Sequence, residues 1–191
     1  MKILITGHSK GIGKAIYDLL KLQGHDVIGL SRSNNFDIND ICLTDHLHGV
    51  DVFINNAYVS RHQSRLLKEA IQYWNNDSSK LIININSKLS LVPIDTKTLD
   101  QWTKDYINEK KYQSEIVNKL FVAGGVKICN LIIGLAKTDM SKDVFDSPIA
   151  LDPKYIAQTV NSVIKLSPNI NIQSIVVDAP GLNWQNIKRL M

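Results

Sequence analysis

The sequence predicts an α/β fold: a doubly wound parallel sheet with helices on both faces. Short apolar runs rich in β-branched residues alternate with longer segments whose apolar residues recur at helical spacing. That alternation is typical of parallel sheets with right-handed helical crossovers. A glycine-rich turn also joins the first apolar run to the first helical segment. Sheets of this kind bind ligands at the carboxyl ends of their strands.

In the first half of the chain, the pattern predicts strands over 2–7, 25–32 and 51–57 and helices over 11–24 and 64–76. Ile12, Ile16 and Leu20 share one face of the first helix, and Gly24 ends it. An Asn-Asp-Ser-Ser run ends the second helix. The polar link over 34–49 predicts at most a short strand and a short helix.

The second half predicts strands over 80–87, 126–134 and 170–178 and helices over 99–123 and 153–166. Gly124 and Gly125 end the long helix, and Pro153 fits the first turn of the last one. The sequence shows no internal repeat, low-complexity tract or linker. We therefore expect one domain over 1–191, with a short lid over about 139–153 as part of it.

Composition and charge argue against several functions. The apolar runs are far shorter than the roughly 20 residues that span a bilayer, so we expect no membrane contact. The net charge of +4 comes from scattered basic residues without interleaved aromatic ones, so we expect no nucleic-acid partner. Cys42 lies near His46 and His48, but the spacing matches no zinc template, so we expect no metal. A strand follows Met1 almost at once, so we expect no signal peptide and a cytoplasmic protein.

The turn TGHSKGIG, over 6–13, carries the clearest chemical signal. Its glycines, Gly7, Gly11 and Gly13, have the spacing G-x-x-x-G-x-G. Without Cβ atoms, the backbone of such a turn comes close to a pyrophosphate, and the helix N-terminus offers free N–H groups and a positive dipole. The turn therefore predicts a bound nucleotide. The alternative is a turn that only allows the first helix to pack against the sheet.

This turn resembles the cofactor motif T-G-x-x-x-G-I-G of the short-chain dehydrogenase/reductase family. Other segments resemble motifs of that family in the same order: INNAY over 54–58, ININS over 83–87 and LIIGLAKT over 131–138. Tyr58 stands where the family has glycine, and Ile133 stands where it has proline. The similarity extends from Met1 to the segment IVVDAPG. It implies a Rossmann fold and a nicotinamide-dependent oxidoreductase.

The resemblance also implies a set of cofactor-binding residues, spread over several segments. The set consists of Thr6, Gly7, Ser9, Lys10, Gly11, Ile12 and Gly13 of the turn, Arg32, Asp37, Ile38, Asn55, Asn56, Ala57, Lys110, Gly134 and Thr138. Within it, Asp37 and Ile38 match the pair that lies beside the adenine in the family.

The catalytic motif of the family is Tyr-x-x-x-Lys, and the resemblance assigns it to Tyr106 and Lys110. Residues i and i+4 share a helix face, so the ammonium can favour ionisation of the phenol. Tyr17 and Lys21 have the same spacing, but they belong to the first helix, away from the expected site. The catalytic serine of the family falls on Ser87.

Two alternatives for these roles stay open. Tyr112 is a neighbouring competitor of Tyr106 without a lysine at i+4, and Ser90 is an alternative to Ser87. The family often adds an asparagine in the helix before the serine strand. The segment between Asn56 and Ser87 contains no asparagine before Asn75, so the asparagine of the usual proton relay has no match here.

The residues after the second predicted strand favour NADP(H) over NAD(H). The strand ends in Ser-Arg-Ser, with no carboxylate for a ribose 2′-hydroxyl before Asp37. Arg32 can bind a 2′-phosphate through bidentate charged hydrogen bonds, and Lys10 adds a second cation in the glycine turn. The alternative is that both residues are exposed surface charges.

The sequence therefore predicts an NADP(H)-dependent oxidoreductase that transfers hydride between the nicotinamide and a small carbonyl or alcohol substrate. A second hypothesis is an NADP-binding sensor or scaffold of the same fold with little or no catalysis, which the departures at Tyr58 and Ile133 favour. A sugar-nucleotide epimerase or reductase is a third hypothesis, but such enzymes usually carry a larger C-terminal substrate domain.

The resemblance further implies a homodimer or homotetramer that forms through the long helix. The predicted lid supplies the candidates for the substrate pocket, which are Asp139, Met140, Val144 and Phe145.

Overall fold

The computed structural model describes residues 1–93, 97, 99–141 and 150–181. Its strands are β1 (Lys2–Thr6), β2 (Asp26–Leu30), β3 (Val52–Asn55), β4 (Leu81–Ser87), β5 (Lys127–Ile133) and β6 (Ser174–Val177). All neighbours pair in parallel, in the order β2-β1-β3-β4-β5-β6. The predicted doubly wound α/β fold is confirmed.

Helices cover both faces of this sheet. They are α1 (Gly11–Leu22), α2 (His62–Trp74), α3 (Gln101–Ala123) and α4 (Pro153–Ile164). Asp100 and Asp152 precede α3 and α4, and their carboxylates accept hydrogen bonds from the first backbone N–H groups of those helices. The polar link over 34–49 contains a 3₁₀ turn, Leu43–His46, and no strand. None of the helices in the described part of the chain is both long and apolar enough to cross a membrane.

The strand residues alternate between two hydrophobic cores. Ile3 and Ile5 belong to the core beneath α1 and α4, whereas Leu4 belongs to the core beneath α2 and α3. Side chains on a strand point to opposite faces in turn, so a continuous apolar run such as KILIT supplies both cores.

The face beneath α2 and α3 changes from apolar to polar towards the carboxyl ends of the strands. Phe53, Ile82 and Ile128 lie side by side in one layer. Two residues further along each strand, Asn55, Asn84 and Asn130 form a second layer in the same register, the amide ladder. Asn55 donates to Asn84 Oδ1 at 2.9 Å, and Asn84 donates to Asn130 Oδ1 at 2.9 Å. All three side chains are buried.

Candidate active site

A cavity of about 430 Å³ opens at the carboxyl ends of the strands. It lies where α1 begins, next to the boundary between β1 and β3, at which the strand order reverses. Ligands of doubly wound sheets bind at such a reversal. Most of the residues predicted to bind the cofactor line the cavity: Gly7, Ser9, Lys10, Gly11, Ile12, Gly13, Arg32, Asn56, Ala57, Lys110 and Thr138.

The glycine turn is folded so tightly that its three glycine positions do not tolerate a side chain. A Cβ atom on Gly13 would lie 2.1 Å from the carbonyl oxygen of Gly7. Gly7 and Gly11 have φ angles of 72° and 54°, a region that favours glycine. Thr138 closes the turn from above, because its Cγ2 atom lies 3.2 Å from the position of a Cβ on Gly11.

The N-terminus of α1 is open towards this cavity. Lys10 is the N-cap residue and makes no capping hydrogen bond, and no acidic residue lies in the first turn. Gly11, Ile12 and Gly13 of that turn line the cavity. The first N–H groups of a helix have no partner within it, so this end of α1 presents free donors and a positive dipole to an anion.

Hydrogen bonds between Thr6, at the end of β1, and the residues that follow β3 hold the turn in place. Thr6 Oγ1 accepts hydrogen bonds from the backbone N–H groups of Asn56 and Ala57, both at 3.1 Å. Asn56 Nδ2 donates to the carbonyl oxygens of Thr6 at 2.9 Å and Gly7 at 3.3 Å. Thr6 is itself fully buried, so its geometry supports the turn and not a direct contact with a ligand.

The charged residues that line the cavity are mainly cationic. Arg32 and Lys10 are exposed at its rim, and Lys110 lies inside it. Asp139, of the predicted lid, is the acidic residue among the described lining residues. The described part of the cavity therefore attracts anionic ligands.

Besides Thr6, four residues predicted to bind the cofactor do not line this cavity. Ile38 is buried in the core beneath α2 and α3, and its carbonyl accepts a hydrogen bond from Arg65. Asp37, next to it, accepts a hydrogen bond from the N–H of Asn39. Asn55 belongs to the amide ladder. Gly134 makes room for Asp178, since a Cβ there would lie 1.8 Å from a carboxylate oxygen.

Tyr106 and Ser87 meet beside the cavity. Ser87 is the last residue of β4 and is buried, and Tyr106 lies on α3 and lines the cavity. Burial raises the pKa of Tyr106 above its ordinary value, and a hydrogen bond with the Ser87 side chain lowers it in part. The phenol is therefore protonated at neutral pH and lies in contact with a hydroxyl that can stabilise the phenolate.

Lys110 lies one turn after Tyr106, and its ammonium is buried. Burial lowers the pKa of Lys110 from 10.5 to about 7, and the neighbouring Glu109 raises it in part. Nζ donates to Gln63 Oε1 at 2.6 Å and to the carbonyl oxygen of Ile85 at 3.1 Å. Among the described contacts these bonds use two of its three donors, which leaves one for a group bound in the cavity.

Gln63 is the residue that fixes this ammonium. It lies at the start of α2, is fully buried, and donates from Nε2 to the carbonyl oxygens of Asn55 at 2.9 Å and Ile85 at 3.0 Å. These bonds orient the side-chain oxygen towards Lys110. Gln63 thus contacts the lysine directly. It lies in the segment before β4, in which no asparagine follows Asn56 before Asn75.

Glu109, the residue before Lys110, binds the same end of α2. Glu109 is buried and accepts hydrogen bonds from the Ser64 backbone N–H at 2.8 Å and from its hydroxyl at 3.2 Å. A carboxylate at a helix N-terminus is favourable because it meets free N–H groups and the positive end of the dipole. Neighbouring residues of α3 therefore bind neighbouring residues of α2, and this fixes the position of Lys110.

The alternative residues lie elsewhere. Tyr17 packs against His8 with ring centroids 5.0 Å apart, and Tyr112 is exposed with Lys68 Nζ 4.7 Å from its ring centroid. Ser90 accepts a hydrogen bond from Ser114 at 3.4 Å. None of these three lines the cavity. Within the described ranges, no group of three or more His, Cys, Asp or Glu side chains is placed to hold a metal ion.

Sequence reasoning missed Gln63 and Asn86. Asn86 lines the cavity and donates to the carbonyl oxygen of Lys110 at 3.1 Å, which ties α3 to β4. Both residues carry a signal in the sequence. Gln63 is a polar residue at helical spacing from the apolar Leu66 and Leu67, and Asn86 follows Asn84 on one face of a strand.

Comparison with solved structures shows a fold similar to that of several dehydrogenases. The chain has the Rossmann fold of that class. Escherichia coli serine dehydrogenase matches with a TM-score of 0.73 and 18% identity, over 96% of this chain and 100% of that chain. An alcohol dehydrogenase from the archaeon Thermococcus sibiricus, complexed with 5-hydroxy-NADP, matches with a TM-score of 0.71 and 18% identity, over 95% and 97% of the two chains.

A third structure shows the range of cofactors in proteins of this fold. The 3-alpha-hydroxysteroid dehydrogenase from Pseudomonas sp. B-0831, complexed with NADH, matches with a TM-score of 0.70 and 16% identity, over 93% of this chain and 95% of that chain. The sequence matches no protein-family model and no curated protein. At these identities the structural similarity establishes the fold.

Proposed function

We propose that this protein is an NADP(H)-dependent oxidoreductase that transfers hydride between the nicotinamide and a small carbonyl or alcohol substrate. One observation carries the proposal: Tyr106 and Lys110 line the same cavity as the open N-terminus of α1. A site for an anionic ligand and a proton donor therefore adjoin each other.

The residues of the cavity fit a nicotinamide dinucleotide. The glycine turn leaves no room for a Cβ at Gly13, so backbone N–H groups approach a pyrophosphate without obstruction. Lys10 and Arg32 supply cations at the rim, and Lys110 keeps one donor for ribose hydroxyls. When bound, NADPH supplies the hydride that reduces a carbonyl carbon.

The protein's own residues handle the proton and the developing charge. The buried phenol of Tyr106 is neutral at pH 7, because its pKa is raised, and so it can donate its proton to a carbonyl oxygen. The hydroxyl of Ser87 then stabilises the negative charge on that oxygen or on the phenolate. Lys110, held by Gln63, adds a positive charge beside the phenolate when it is protonated.

Substitution of Tyr106 tests the catalytic part of the proposal. We expect Tyr106→Phe to lower kcat for reduction of a panel of small ketones and aldehydes by at least about 100-fold, since proton transfer contributes that much or more. NADPH binding, followed by its fluorescence, stays unchanged. Tyr112→Phe, a matched change on the exposed side of the same helix, keeps full activity. Full activity of Tyr106→Phe would show that another group donates the proton.

The preference for NADP(H) rests on Arg32 and Lys10. We expect NADPH to bind the wild type more tightly than NADH, and we expect Arg32→Ala to reduce the ratio of the two affinities by at least about tenfold, as for a charge-assisted contact of about 1.5–3 kcal/mol. Lys14→Ala is the control, because Lys14 is an exposed cation of α1 outside the cavity, paired with Asp18 at 2.6 Å. Equal affinities of the wild type for the two cofactors would contradict the preference.

One observation favours the second hypothesis, an NADP-binding sensor or scaffold. The ring of Tyr58 lines the cavity, within 4.8 Å of the Tyr106 ring centroid, at a position where the resemblance implies glycine. Tight NADPH binding without oxidation by any member of the carbonyl panel would support this hypothesis. The homodimeric or homotetrameric state and the cytoplasmic location also stay predictions.

A further inference from the structure

We propose that Tyr58 and Trp102 form an aromatic wall that selects aryl ketones, aryl aldehydes or the corresponding alcohols as substrates. The inference rests on the proposed oxidoreductase function and adds the substrate class to it. It depends on the contacts between these two rings and Tyr106 and on the exposure of Trp102.

The aromatic wall is in contact with the proposed proton donor. The rings of Tyr58 and Tyr106 meet edge to face, with centroids 4.8 Å apart at 78°. Trp102 stacks on Tyr106 at 5.6 Å and 12°, and it meets Tyr58 edge to face at 6.1 Å and 89°. A carbonyl oxygen that reaches the Tyr106 hydroxyl therefore brings its substituents next to these rings.

Trp102 has surface to offer such a substituent. It lies in the first turn of α3, four residues before Tyr106, so both side chains share one helix face. Its indole packs against Tyr106 and is nevertheless 56% exposed. A large apolar side chain beside a reacting group gains free energy when a flat apolar ligand covers it.

The groups around the aromatic wall favour an aryl group. Burial raises the pKa of Tyr58 to about 12, with contributions from Tyr106, Glu109 and Asp105, so Tyr58 stays uncharged. Asp139 lines the cavity together with the apolar Ile133 and Met140. The aromatic rings and the thioether attract an aryl group, and Lys110 Nζ lies 5.5 Å from the Tyr58 ring centroid and 5.4 Å from that of Tyr106.

A matched pair of ketones tests the substrate class. Acetophenone and cyclohexyl methyl ketone have similar size, and only the first has a π-system. Because the two ketones differ in intrinsic reactivity, the quantity to compare is the ratio of their kcat/KM values in each variant. We expect Trp102→Leu to reduce this ratio by roughly 2- to 12-fold, the range of an aromatic pair. Tyr155→Leu, an exposed aromatic position on α4, leaves the ratio as in the wild type.

Binding of acetophenone to the NADP⁺ complex, measured by ligand-observed NMR, separates this inference from the proposed function. Turnover of both ketones with a ratio that Trp102→Leu does not change overturns the aromatic wall and leaves the oxidoreductase in place. Binding of acetophenone that Trp102→Leu weakens, without turnover of either ketone, supports the aromatic wall and overturns the oxidoreductase. Absence of both binding and turnover overturns the aromatic wall.

Discussion

The two faces of the sheet differ in what lies above their apolar cores. On the face beneath α1 and α4, strand β4 stays apolar until Ser87, its last residue, with Ile83 and Ile85 in the core. On the opposite face, the same strand turns polar with Asn84 and Asn86. The apolar face carries the helix whose backbone N–H groups meet the cavity, and the polar face carries the helix whose side chains line it.

The two faces therefore contribute to the site in different ways, one through backbone and the other through side chains. Contacts to a phosphorylated ligand come mainly from backbone at the start of α1, and a backbone site needs only a well-packed helix beneath it. The proposed reacting groups are side chains of α3, and their positions depend on how that helix sits on the sheet. Buried amides fix that position, because a shift of α3 breaks hydrogen bonds that no solvent replaces.

The largest expected effect concerns the buried charge on the polar face. The pKa of Lys110 is about 7 when folded, whereas an unfolded lysine keeps its proton to about pH 10. Between these values the unfolded chain binds more protons, so stability rises with pH from about 7 to about 10, by on the order of 4 kcal/mol from this group. We expect Lys110→Met to remove this rise in urea denaturation at pH 7 and pH 10.

Lys119→Met is the control for that measurement, since Lys119 is exposed on the same helix. The control keeps the wild-type difference between the two pH values. An unchanged difference in Lys110→Met would mean that the ammonium is hydrated in the folded protein and that the polar face does not withhold water from it.

The second prediction compares equivalent substitutions on the two faces of β4. Asn84→Leu leaves Asn55, Asn130 and Gln113 without the partner they have now, at 2.9–3.1 Å. We expect a loss of about 3 kcal/mol in the free energy of unfolding, because each unsatisfied buried group costs about 1–3 kcal/mol. Ile83→Leu, on the apolar face, conserves volume and costs less than about 1.5 kcal/mol. Equal losses would contradict a special role for the amide ladder.

The same contrast explains what the sequence predicts and what it does not. The strands and helices follow from local spacing, and the glycine turn from residues that adjoin in the chain. The last strand is shorter than the predicted 170–178, because pairing begins only where Asn130 meets Ser174. Gln63 and Lys110 are 47 residues apart in the sequence. The position of Gln63 on the apolar face of its helix does not show which residue it will contact. Such contacts depend on how α2 and α3 pack together.

The third prediction uses Gln63 to move the titration of Lys110. Gln63→Glu places a carboxylate where the amide oxygen accepts the hydrogen bond, which raises the pKa of the lysine, whereas Gln63→Leu removes the acceptor and lowers it. If protonated Lys110 supports Tyr106, the fall of kcat/KM at high pH moves upward by about one pH unit in Gln63→Glu and downward in Gln63→Leu. A purely structural role of Gln63 would change the rate and leave the pH of that fall in place.

The smallest expected effect comes from an ion pair on the helix that covers the apolar face. Lys14 Nζ and Asp18 Oδ2 of α1 are 2.6 Å apart, closer than the 2.9 Å between partners in the amide ladder. Their side chains are nevertheless 57% and 55% exposed. Water replaces a lost partner at such a site, so Asp18→Ala changes the free energy of unfolding by less than about 0.5 kcal/mol, and salt reduces even that. Urea denaturation at low and high ionic strength measures it. A loss as large as that of Asn84→Leu would show that short distance, and not burial, decides which polar contacts hold this fold.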